Sequence, residues 1–220
     1  MAIERHSVAR PAARARPGRL LGGGTVGNER LTAAAGALLI VLLAVIGVTI
    51  IQLGPLLSVH LFVGMMLIGP LALKLASTGY RFVSYYTANP RYRRKSPPPL
   101  PLRLIAPVVV LSTLVVIASG VALLFAGPSS RDTLLPIHKI SFIVWIPFMA
   151  LHILGHLPAL FQSLSADYGS SASRGGPAGG LRADVSGRSG RTLSLASALT
   201  LGLVLAILVI QQFGPWLSAR

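Results

Sequence analysis

Three stretches of this 220-residue chain carry no charged side chain: Leu31 to Leu53, Leu104 to Ala126 and Leu193 to Leu217. Each exceeds the roughly 20 residues that cross a hydrocarbon core about 30 Å thick, so the chain is expected to fold in lipid with each run a transmembrane helix. Two further runs are apolar but interrupted. Leu56 to Thr78 contains His60 and Lys74, and Leu134 to Leu160 contains His138, Lys139, His152 and His156. The expected fold class is all-α: a polytopic membrane protein with a four-helix transmembrane bundle plus a fifth transmembrane helix. The first run is longer than the about 7–15 apolar residues of a signal-peptide core, and no small-residue cleavage site separates it from Pro55, so it is expected to stay in the protein.

A formal net charge of +15 would suggest nucleic acid as the partner of a soluble protein, but here the cations must first be sorted by loop. Arg5, Arg10, Arg14, Arg16, Arg19 and Arg30 precede the first run. Arg81, Arg91, Arg93, Arg94, Lys95 and Arg103 follow the second, and Arg174, Arg182, Arg188 and Arg191 follow the fourth. The other side holds Arg131, Lys139 and Arg220. The positive-inside rule then gives a multi-pass protein of the cell membrane with a cytoplasmic N-terminus and an outer C-terminus. Its basic surplus faces anionic headgroups, where each cation contributes about 1 kcal/mol. The lipid bilayer accounts for the charge, and no nucleic acid is called for. With no cysteine in the chain, disulfides, thiolate metal sites and iron–sulfur ligation are excluded.

Composition divides the chain further. Residues 1–30, rich in Arg, Ala and Gly without apolar period, are expected to be a disordered basic cytoplasmic tail. Residues 31–164 form the four-helix bundle, 165–192 a Gly/Ser-rich flexible cytoplasmic linker, and 193–220 the fifth helix with a short outer tail. The segment SPPPLP at 96–101 reads as a stiff extended turn. Tyr80, Phe82, Tyr85, Tyr86 and Tyr92 interleave with Arg81, Arg91, Arg93 and Arg94, as in an interfacial anchor; Trp216 is expected to do the same outside. No Gly-rich phosphate loop, HExxH helix or GxSxG elbow is present, and no stand-alone catalytic constellation. The apolar runs also lack the acids of a proton pump.

The histidines carry the chemistry that remains. His138 and His152 are 14 residues apart, within about 40° of one helical face and about 21 Å along the axis, with His156 one turn further. Polar side chains in lipid turn inward to a partner. The second helix runs in the same direction as the fourth, and His60 lies four residues into its span as His138 does into its own. Two neutral imidazoles across a bundle interior are the axial ligands of a low-spin b-type haem, and Gly64, one turn from His60, would leave room for a flat macrocycle. Solvation or a bond to a backbone carbonyl would satisfy the same two rings. His152 and His156 are open to helix–helix hydrogen bonding, to a haem or quinone role, or to a metal ion, for which acids are missing nearby. Lys74 is expected to extend its ammonium to the inner headgroups.

The spacing His138-x13-His152 resembles the paired histidines of membrane cytochrome b subunits, in which one helix serves two haems near opposite membrane faces. The resemblance covers about residues 31–164. It implies haem b as cofactor, with His60 and His138 as iron ligands and His152 and His156 as further cofactor-binding candidates. It also implies a quinone or a redox partner protein. Fourteen residues on from His60 stands Lys74, where the dihaem pattern has a second histidine, so one outer haem is expected. The block GPLALKLASTGYRFVSYY…YRRKSPPPLPLRLIAPVVVLSTL is also similar to uncharacterised integral membrane proteins of actinobacteria. Two functions follow: an electron-transfer protein or membrane anchor of a redox complex, or a non-redox scaffold or regulatory protein whose histidines are hydrogen-bonded. A transporter would need discontinuous helices and a charged midplane site that the sequence lacks.

Overall fold

The computed structural model describes residues 23–87, 100–168 and 187–218. All regular structure among them is helical, the arrangement that satisfies every backbone polar group within its own segment in lipid. Five helical segments are long and apolar enough to cross a membrane. The first is α1 (Gly24–Ile51), and the second is a continuous rod of α2 (Leu53–Met66) and α3 (Ile68–Tyr86). They are followed by α4 (Leu100–Ala126), α5 (Arg131–Tyr168) and α6 (Arg188–Leu208). A 3₁₀ turn, Ile210–Phe213, and a short α7 (Gly214–Ser218) end the described chain.

Helix α1 begins seven residues before the expected start at Leu31. Gly23 and Gly24 take positive φ and break the chain there; beyond them the polar residues of the first two turns find partners on other helices. Asn28 Nδ2 donates to the Ser77 carbonyl at 3.0 Å, Arg81 pairs with Glu29 at 3.6 Å, and Arg30 reaches Asp167 at 3.1 Å. The other linker boundaries move likewise: α5 runs to Tyr168 and α6 starts at Arg188. Most of the expected tail (1–22), turn (96–99) and linker (169–186) lies outside the described residues. Leu100 and Pro101 already belong to α4, as proline's fixed φ suits a first helical turn.

Between α1 and α2 stands the single residue Gln52 (φ −125°, ψ 51°), followed by a non-helical Leu56 (φ −102°, ψ 16°). Pro55, lacking a donor and restricting the residue before it, explains why the corner falls there. Leu39, Leu42 and Ile46 of α1 pack with Val63 and Leu67 in one core cluster, against which Leu199 of α6 is seated. Met65, Leu124, Ala206, Val209 and Phe213 form a second.

The fifth membrane-spanning helix, α6, therefore contributes to both clusters. Its approach to the second span is backbone on backbone: a Cβ on Gly69 would run into the Ala198 carbonyl, and one on Gly202 into the Met66 carbonyl. Pro70 has no N–H, so the Met66 carbonyl four residues back is free of its helical bond, and only a glycine lets α6 close on it.

The hairpin of α4 and α5 is more loosely attached. Among the residues of α5 whose burial is described, Asp167 alone is buried, and the helix is tied to α4 by a Trp145 Nε1 bond to Thr113 Oγ1 at 2.8 Å. Pro136, Pro147 and Pro158 of α5 recur every eleven residues, close to three turns, and so share one face. His138, His152 and His156 lie roughly opposite that face.

Candidate functional site

Four helices place the outer pair. His60 on α2 and His138 on α5 bring their rings to a centroid separation of 6.5 Å with planes at 86°. Each ring is held at Nδ1 by a helix that carries neither histidine. On α1, Thr49 Oγ1 donates to the Ile46 carbonyl at 2.7 Å and stands 2.9 Å from His60 Nδ1. With its one proton committed, the hydroxyl accepts from His60, so the proton sits on Nδ1. On α4, Ser119 Oγ donates to the Val116 carbonyl at 3.0 Å, and His138 Nδ1 lies 3.1 Å from both that carbonyl and Ser119 Oγ. Since a carbonyl only accepts, His138 is also protonated at Nδ1. In both neutral rings the nitrogen left with a lone pair is Nε2.

Glycines shape the surroundings. A Cβ on Gly120 would stand 3.1 Å from the His138 ring, so its absence makes room for the imidazole. A Cβ on Gly64 would meet nothing within 4 Å, as expected of a turn that borders open space.

The inner residues behave differently. His152 and His156 place their rings 4.6 Å apart, but His152 Nδ1 is buried with no hydrogen-bond partner among the described residues. No interhelical hydrogen bond to that nitrogen is formed among the described residues. Lys74 lies within electrostatic reach of both rings, yet its ammonium donates to the Thr32 carbonyl of α1 at 2.9 Å. It points toward the inner end as expected but stops at a backbone acceptor instead of the headgroups. Gly36 gives it the space, since a Cβ there would lie 2.7 Å from Nζ. Thr32 also bonds Asn28 O at 2.7 Å and Ser77 Oγ.

The residues present fit a haem at the outer position. Two imidazoles bound to one metal at about 2 Å each place their centroids roughly 6–6.5 Å apart, matching the observed separation, and neither Nε2 forms a hydrogen bond among the described residues. They do not fit a second haem: opposite His152 stands Lys74, hydrogen-bonded elsewhere. Nor do three His, Cys, Asp or Glu side chains gather into a metal-holding group among the described residues.

Sequence reasoning missed Thr49, Ser119 and the Val116 carbonyl, because a hydroxyl in an apolar run ordinarily bonds back to its own helix. It also missed the cluster at the inner end, where Asp167 of α5 accepts from Arg30 of α1 and from Arg191 Nε of α6 at 2.8 Å. Trp216, expected as an outer anchor, packs against the second core cluster with its Nε1 buried. The aromatic belt persists as a contact of Phe82 with Tyr86 at 4.6 Å and a bond from Arg103 to the Tyr86 hydroxyl at 3.0 Å; residues 91–94 lie outside the described residues.

Fold and site together define the class: an all-α, multi-pass membrane bundle with paired intramembrane imidazoles. No protein-family model, curated protein or solved structure matches the chain.

Proposed function

We propose that this protein is a b-type cytochrome-like electron carrier or redox-complex anchor that holds one haem through His60 and His138. The observation that carries this reading is the pair of rings 6.5 Å apart, each with its Nδ1 proton given to another helix and its Nε2 lone pair free. His60 and His138 would ligate through Nε2, while Thr49 and the Val116 carbonyl keep the protons on Nδ1. A bound haem supplies one-electron oxidation and reduction at its iron. Both rings are half-buried among the surrounding apolar helices, and Gly120 leaves space for the His138 ring.

At the inner end the unpartnered His152 Nδ1 offers a hydrogen bond to a polar molecule entering from the bilayer. That chemistry supports a quinone as electron partner; a redox protein at the cytoplasmic face is the other candidate. With sixteen cations expected inside and three outside, the N-terminus lies in the cytoplasm of a cell whose plasma membrane houses the protein.

A non-redox scaffold is the second reading, favoured by one observation: the Nδ1 bonds already satisfy both rings as helix ties. The visible spectrum of protein purified from a haem-sufficient host separates the two. A low-spin b-type spectrum with about one haem per chain, lost in His60→Ala and in His138→Ala, is expected. Colourless wild-type protein would leave the scaffold.

A further inference from the structure

Thr49 and Ser119 stand in equivalent relations to the two histidines, yet they are not equivalent in what they control. Thr49 is 1% exposed and Ser119 7% exposed, so no water competes for either hydroxyl. Each is turned by donating to the carbonyl three residues earlier in its own helix, Ile46 for Thr49 and Val116 for Ser119. That commitment makes each oxygen an acceptor toward the ring beside it. Among the described residues the His60 Nδ1 proton has one acceptor, Thr49 Oγ1 at 2.9 Å. The His138 Nδ1 proton has two, Ser119 Oγ and the Val116 carbonyl, both at 3.1 Å.

An imidazole without a fixed partner populates both neutral tautomers, and a proton on Nε2 removes the lone pair that coordination requires. Acceptors at the other nitrogen also make a ligating imidazole a stronger donor. We propose that Thr49 is the positioning residue of this site: its hydroxyl alone fixes His60 in the Nδ1–H form and so presents Nε2 for ligation. Ser119 is a redundant second acceptor for His138, whose tautomer the Val116 carbonyl already fixes. Two consequences follow. The His60 side of the site depends on a replaceable side chain, and the His138 side depends on backbone that no substitution removes.

The proposal builds on the haem reading, but its first test does not require haem. In haem-free protein labelled with 15N-histidine, ring nitrogens assigned by their loss in His60→Ala and His138→Ala should report Nδ1–H for both residues. An Nε2–H tautomer at either histidine of the wild-type protein would overturn the proposal. Thr49→Val, nearly isosteric, should turn His60 into a tautomer mixture, Thr49→Ser should restore it, and Ser119→Ala should leave His138 unchanged. An unaltered His60 in Thr49→Val would equally overturn it.

The second test titrates haem into the apoprotein. Thr49→Val should weaken binding about 10–100-fold, the range typical of lost outer partners of a metal-bound histidine, and Thr49→Ser should recover it. Ser119→Ala should bind as wild type does. A loss in Ser119→Ala as large as that in Thr49→Val contradicts the asymmetry. Should wild-type protein bind no haem, the proposed function fails, while the tautomer measurements still decide the role of Thr49.

Discussion

At the scale of single residues, the inner end of the bundle turns on Asp167. Its carboxylate, 4% exposed, accepts from Arg30 at 3.1 Å and from Arg191, whose side chain is 2% exposed. Asp167→Asn would leave two guanidinium groups facing a neutral amide in a buried setting, where removing one partner of an ion pair costs about 3 kcal/mol or more. Thermal unfolding in detergent should show the loss. Arg81→Gln serves as the comparison, because its pair with Glu29 spans 3.6 Å between side chains 38% and 30% exposed and contributes under about 1 kcal/mol. Equal losses in the two variants would show that burial does not set the strength of the Asp167 cluster. None of this was legible in the sequence: Arg30 and Arg191 read as topological cations, and their meeting at Asp167 depends on packing between helices far apart in the chain. The approach of His60 to His138 was legible, because matched depth in parallel spans constrains distance along the membrane normal. The bonds of Thr49 and Ser119 were not, because depth says nothing about which helix stands beside a ring.

At the scale of elements, the spans themselves were readable because lipid imposes length and polarity on every crossing segment, whatever its neighbours. Neighbour choice is a different problem. In lipid, helices gain little from hiding apolar surface and associate through close backbone packing, so the informative residues on α6 are its smallest. Gly190, Ser194, Ala198, Gly202 and Ala206 recur every four residues. That stripe was the available signal for the contact with Gly69 and Met66. Gly202→Ala or Gly69→Ala would drive a methyl group into a backbone carbonyl and force the helices apart, destabilising by about 1–3 kcal/mol. Gly47→Ala and Gly79→Ala, where an added Cβ meets nothing within 4 Å, should be neutral or stabilising by up to about 1 kcal/mol. Unfolding midpoints in a fixed detergent check the contrast. Equal behaviour of the two pairs would mean that α6 does not bear on the second span through these glycines.

At the scale of the whole molecule, relative sidedness follows from contacts and absolute sidedness from charge. Arg30 near the start of α1, Asp167 at the end of α5 and Arg191 at the start of α6 meet in one cluster, so those three helix ends share a membrane face. Asn28 bonding Ser77 brings the inner half of α3 to the same side. Five crossings then carry the C-terminal end of α6, with Trp216 beyond it, to the opposite face. What remains is the sign, and the orientation proposed above takes it from the excess of sixteen cations over three through the positive-inside rule. A reporter active only after export, fused behind Arg220, should therefore be active, and a reporter that fluoresces only in the cytoplasm should work when inserted between residues 169 and 186. The reverse pattern in both would invert the protein and place the His60 and His138 rings at the cytoplasmic end. The cations of the second inner loop are the sharpest control, because they lie close to two spans, where such charges weigh most. Replacing Arg91, Arg93, Arg94 and Lys95 together by glutamine should produce a measurable inverted fraction. The same replacement of Arg131 and Lys139 should produce none, since it deepens the existing asymmetry.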